Sequence, residues 1–124
     1  MRKQYHFWRG AEGLDAWDVD HLIEASIGLP VKEVPVDSFP EVDTDHWFVH
    51  GPVPTVRRII EHVRLIEEAD GSYPIILGAD GRVMDGMHRI ARTILDGRPT
   101  IRAVRFGVDP EPDFRNCVPA DLPY

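Results

Sequence analysis

A lone cysteine, Cys117, stands in the 124 residues, so no disulfide can form within the chain. A reducing, cytoplasmic setting is the expectation that follows. No apolar stretch approaches the roughly 18–20 residues that a membrane span needs. The basic start Met1-Arg2-Lys3 has no apolar run behind it, which argues against a secretory leader. Excess positive charge is missing too. Lys+Arg number 14 against 21 Asp+Glu, a net charge of -7. That excludes an extended nucleic-acid or anionic-membrane surface, because phosphate binding is mostly charge neutralisation by Lys and Arg. There is no internal repeat and no low-complexity tract. With 43% hydrophobic residues the chain can form a core, which excludes global disorder.

The charge that is present is unevenly spread. Residues 1–51 hold ten acids and four bases, residues 52–106 seven acids and nine bases, and residues 107–124 four acids and one base. The middle is therefore +2 between flanks of -6 and -3, and all nine of its bases are arginine. The planar guanidinium fork suits phosphate and carboxylate oxygens.

Apolar periodicity sets out the elements. Residues 15–28 read as a helix capped by Asp15, with Val19, Leu22, Ile23 and Ile27 on one face, stopped by Gly28 and Pro30. Residues 31–36 read as a short strand, and 39–52 as a loop whose Trp47 and Phe48 anchor it on the core. Residues 53–69 form the clearest helix. Val56, Ile59, Ile60, Val63 and Ile66 supply its core face, and Thr55, Arg58 and His62 lie on the other. Residues 74–77 and 82–84 flank Gly78-Ala79-Asp80-Gly81, a hairpin signal. A last helix spans 87–96, with Met87, Ile90, Ala91, Ile94 and Leu95 in phase, and a strand spans 100–106. Trp8 and Trp17 are packing residues. The expected fold class is α+β: one small domain over 1–106 with a mixed β-sheet flanked by helices. Residues 1–30 contribute a helical extension, and 107–124 form a Pro-rich acidic tail, extended and packed on the domain or on a partner.

The stretch Met84-Asp85-Gly86-Met87-His88-Arg89 sits where a strand hands over to a helix. The first amides of a helix lack internal partners and carry partial positive charge. Gly86 permits close approach of a ligand to the backbone, and Arg89 adds a cation one turn in. These are the ingredients of an anion site. An Asp85 cap, a Gly86 turn and a surface His-Arg pair account for the same residues with no ligand at all.

From Pro52 to Phe106 the chain resembles the ParB/sulfiredoxin fold family. The likeness is carried by Pro74-Ile75-Ile76-Leu77, by Asp80 to Ala91, and by Gly97 with the strand 101–106. It implies a nucleotide site in which Gly86, Met87, His88 and Arg89 hold phosphates at the helix start. Thr55, Arg58 and His62 would make phosphate or ribose contacts from the preceding helix. The implied ligand is ATP, ADP or CTP, with Mg²⁺ where phosphoryl transfer occurs. Sulfiredoxins carry a cysteine where this chain has Met87, and a thioether cannot form the thiolate their chemistry needs. Partition proteins continue into a basic helix-turn-helix, whereas Phe106 here is followed by acidic residues, so no direct contact with nucleic acid is expected. Asp85-Gly86-Met87-His88-Arg89 matches the family's free serine kinases at four of five positions. That likeness implies Glu41 as general base toward the hydroxyl of a small metabolite. Asp85 would orient Mg²⁺ or that hydroxyl, and His88 would act beside them.

Three readings stay open on these residues: a nucleotide-dependent phosphotransferase, a non-catalytic nucleotide-binding regulatory module, and an interaction domain with a vestigial motif. A metal centre is not expected. His46 and His50 are four apart, but Gly51-Pro52 and the aromatics between them disfavour a helix, and no third spaced ligand follows. The sequence sets no oligomeric state.

Overall fold

The computed structural model describes residues 3–49 and 53–124, and it is a small α+β domain. A hairpin of β1 (Tyr5–Arg9) and β2 (Leu14–Asp18) opens the chain, followed by α1 (Val19–Ser26) and β3 (Lys32–Pro35). Two short 3-10 turns, Val36–Ser38 and Pro40–Asp43, lead towards α2 (Val56–Glu67). Then come β4 (Ile75–Leu77), β5 (Val83–Asp85), α3 (Met87–Leu95), β6 (Thr100–Arg105) and β7 (Phe114–Cys117). Among the described residues no helix is long and apolar enough to cross a membrane.

The central sheet has the order β3-β6-β4-β5 and is mixed: β4 runs parallel to β6, while β3–β6 and β4–β5 are antiparallel. Side chains alternate between the two faces of a strand, and here both faces are buried. Ile75, Leu77, Val83, Ile101 and Ala103 pack on one face with Phe39 and with Met87 and Ile90 of α3. Ile76, Met84, Val104 and Phe106 pack on the other with Trp17 and Leu22. Alternate residues of the same short strands thus feed two apolar layers, and Ile75 and Ile90 are fully buried.

The expected helix over 15–28 is shorter, and a strand precedes it. Asp15, Ala16 and Trp17 lie in β2, paired with β1 in the register His6 to Trp17. The α1 cap is Asp18, whose Oδ1 accepts from the Asp20 amide at 2.9 Å. Asp18 is buried and paired with Lys3 at 2.9 Å. The cause lies far along the chain. The Trp17 indole donates to the Pro110 carbonyl at 2.7 Å, and the Asp18 amide donates to Asp113 Oδ2 at 2.7 Å. These bonds hold β2 extended where local periodicity favours helix. The same contacts pack the tail, expected to be extended, on the domain and order Phe114–Cys117 into β7, which completes a second sheet of order β1-β2-β7.

The α2 helix begins at Val56 with Thr55 as its cap; Thr55 Oγ1 accepts from the Arg58 amide at 3.2 Å. It is turned from the expected orientation, and of the expected core face Ile66 alone is partly buried. Arg58, His62 and Ile66 are the partly buried residues of α2 and form its inner stripe. Val56, Ile59, Ile60 and Val63, expected in the core, are 75%, 49%, 51% and 46% exposed.

Candidate functional site

The turn between β5 and α3 depends on glycine. Gly86 has φ +119°, in the left-handed region, and a Cβ there would lie 2.5 Å from Ile75 Cγ2. The bare Cα is thus used against the core, a purpose the sequence motif does not announce. Having no side chain, Gly86 offers no capping oxygen, and no side chain caps α3. The first turn therefore leaves amides for an external acceptor.

Arg89 does not reach that space. Its Nη2 donates to Asp85 Oδ2 at 2.7 Å, and its Nη1 lies 3.3 Å from each of the Tyr73 and Pro74 carbonyl oxygens. Arg89 thereby ties the start of α3 to the end of β5 and to the segment entering β4. Asp85 and Arg89 are largely buried together, so one partner without the other would strand a charge.

The side chains that do meet are His88 and His62. His62 Nδ1 and His88 Nε2 are 2.8 Å apart, and the rings lie within 12° of coplanar. Trp47 stacks over both, with centroid distances of 4.6 Å to each. Phe48 meets His62 edge-on, and the Arg58 guanidinium lies 5.8 Å from the Phe48 centroid. The loop aromatics thus anchor on the helix pair that carries the histidines.

Burial, followed by the charges of His62, His46 and Arg89, pulls the His88 imidazole down to about 4. Burial and then Arg58 lower His62 as well. Both rings are neutral at pH 7, so one nitrogen of the close pair donates and the other accepts. The two outer nitrogens, His62 Nε2 and His88 Nδ1, then hold opposite roles. A proton taken up at one of them can be released at the other.

Glu41 reaches the site from the second 3-10 turn. Its Oε2 accepts from the Val83 amide at 2.6 Å, on the edge strand β5. Arg58 presents the contrasting case: its Nε is buried without a hydrogen-bond partner. An unsatisfied buried donor costs about 1–3 kcal/mol until something accepts from it.

One groove of about 1460 Å³ is lined by Glu41, Arg58, His62, Asp85, Gly86, Met87 and His88. The structure thus brings together seven of the nine residues singled out in the sequence. It leaves out Thr55, which caps α2, and Arg89, which is turned into its own tether.

The far wall of the groove was not foreseeable. Arg82 lies 4.8 Å from the Trp8 ring centroid and 5.5 Å from that of Trp17. It donates to His6 Nε2 at 3.3 Å and pairs with Asp109 at 3.2 Å. Four distant segments supply this cluster, so no local pattern could mark it.

Among the described residues Glu41, Asp45 and Asp85 are the carboxylates on the groove wall. A hard cation arriving with phosphates would use such oxygens. Among the described residues no group of three or more His, Cys, Asp or Glu side chains is arranged to hold a metal ion. His50 lies outside the described residues. No protein-family model matches this chain, and neither does any curated protein or solved structure.

Proposed function

We propose that this chain binds a nucleoside phosphate (ATP, ADP or CTP) in the groove at the start of α3. The reading keeps the ParB/sulfiredoxin likeness of the motif as support and changes the residues that do the holding. The observation that carries it is the buried, unpartnered Arg58 Nε, on the inner stripe of α2 in the same groove as the uncapped start of α3. Arg58 takes the charge-neutralising role that the motif suggests for Arg89. The α3 amides and the neutral His62–His88 pair supply hydrogen bonds. Arg89 and Asp85 act behind the site by fixing the helix start.

Binding without transfer is the primary reading, because Asp85 is already held by Arg89. Phosphoryl transfer to a small hydroxyl-bearing metabolite is the second. It is favoured by Glu41, whose Oε2 alone is hydrogen-bonded, so that Oε1 remains for a proton.

Isothermal titration with ATP, ADP and CTP, with and without Mg²⁺, tests the first reading. Binding is expected, weakened about tenfold or more in Arg58→Ala, since a charge-assisted hydrogen bond contributes about 1.5–3 kcal/mol. Absence of binding by all three nucleotides overturns it. Phosphorus NMR of the same mixtures with serine, threonine and homoserine tests the second, which a lack of turnover would end.

A further inference from the structure

The two ends of the groove differ in charge. At the α3 end the Arg58 Nε lacks a hydrogen-bond partner. At the other end Arg82 is already balanced. Its Nη1 lies 3.2 Å from Asp109 and 3.3 Å from Asp80, and its Nε donates to His6. With two carboxylates beside it, this guanidinium leaves little charge for a phosphate to neutralise. A neutral group suits this end, and phosphates suit the other.

What the Arg82 end presents is an aromatic plane. His6 and Trp8 share one face of β1, because side chains alternate along a strand, and their rings lie within 17° of parallel. The guanidinium sits 4.8 Å from the Trp8 centroid, which holds the indole from behind. Trp8 is nevertheless 47% exposed and lines the groove. The other two tryptophans are engaged elsewhere. Trp17 is buried, and Trp47 is stacked on His62 and His88. Tyr5, also on β1, meets Phe114 and Tyr124 edge-on.

The separation of the two ends also matters. Arg82 and Gly86 flank β5, which spans Val83–Asp85. Four steps of extended chain separate them by about 13 Å. A nucleoside triphosphate bridges a span of that order between its base and its terminal phosphate.

We propose that Trp8 is the stacking platform for the nucleobase of a ligand whose phosphates lie at the start of α3, and that it favours a purine over a pyrimidine. The inference rests on the nucleotide reading of the groove and adds the direction in which the nucleotide lies and the class of base it carries. Stacking on an aromatic face is open to every base, so the preference follows overlapping area. A bicyclic purine covers both rings of the indole, and the single ring of cytosine covers less. An indole fixed before the ligand arrives costs little to order. Trp8 stands outside residues 52–106, so the helix-start motif carries no trace of it.

Isothermal titration of the full chain with ATP and CTP tests this, together with Trp8→Phe and Trp8→Ala. The natural chain is expected to bind ATP more tightly than CTP. Trp8→Ala is expected to weaken ATP roughly tenfold, within what one base–aromatic contact contributes, and to bring the two nucleotides within about twofold of each other. Trp8→Phe is expected to fall between. A second measurement needs no variant and decides the matter where Trp8→Ala fails to fold. An azidoadenine analogue of ATP, irradiated on the natural chain, is expected to attach within β1 or at Arg82, as read by mass spectrometry. ATP binding indifferent to Trp8→Ala, CTP bound as tightly as ATP, or attachment confined to other segments overturns this proposal and leaves the nucleotide reading standing. Absence of binding by any nucleotide overturns both.

Discussion

The helices α2 and α3 carry similar apolar spacing, but α3 buries the start of its stripe, leaving Ile94 and Leu95 at its end exposed, whereas α2 leaves nearly all of its stripe exposed. In α3, Met87 and Ile90 pack against the central sheet and are 7% and 0% exposed. In α2, Val56 and Ile60 face solvent at 75% and 51%, and the side chains turned inward are Arg58, His62 and Ile66. Periodicity identifies a face without identifying its cover. What separates the two helices is attachment. The α3 helix is joined to the sheet by a glycine pressed on Ile75 and by an arginine tether. The α2 helix rests on α3 through the stacked rings of Trp47, His62 and His88.

The contrast can be broken most severely at Ile90. Ile90→Ala removes a fully buried side chain and is expected to cost about 2–5 kcal/mol, read as a fall in the denaturant midpoint. A loss below about 1 kcal/mol would mean that α3 is no better anchored than α2.

An intermediate effect belongs to the histidines between the helices. His88 is neutral in the fold down to about 4, while an unfolded histidine titrates near its ordinary 6.5. The unfolded chain therefore binds more protons across that window. This contribution to stability is complete above pH 6.5 and is lost as the pH falls towards 4. His62, lowered in the same direction, adds to the loss. Thermal melts at pH 7 and pH 4.5 are expected to differ by about 5 °C less in His88→Gln than in the natural chain. Equal differences would show that the pair does not feel the proton.

The smallest effect is at Ile60. Ile60→Ala is expected to change stability by no more than about 0.5 kcal/mol. A loss approaching that of Ile90→Ala would place the outer face of α2 inside a core.

Much of the central sheet was legible in the sequence. Strands β3, β4, β5 and β6 and helix α3 begin and end within a residue or two of expectation, because each is short, strongly patterned and closed by Gly, Asp or Pro. The N-terminal hairpin and β7 were not legible. Their pairing rests on Trp17 to Pro110 and Asp18 to Asp113, contacts between distant segments that no local window contains. The site divides in the same way. Gly86 and His88 stood out in the motif, and His62 and Arg58 by their helical spacing. The division of labour between the arginines was hidden. Spacing gives the same rank to an arginine tied to Asp85 and to one whose Nε has no partner.

The closing strand of the smaller sheet has a consequence in time. The β1–β2 hairpin is made well before its third strand, Phe114–Cys117, since Asp18 and its partner Asp113 are 95 residues apart. Tyr5 donates its hydroxyl to the Pro123 carbonyl, and its ring meets Tyr124 at 5.3 Å. The hairpin thus leaves the ribosome with one edge bare and stays so until Phe114–Cys117 has emerged. An unpaired edge is a template for wrong partners. During synthesis the burden falls on the β1–β2 hairpin, and Phe114–Cys117 relieves it.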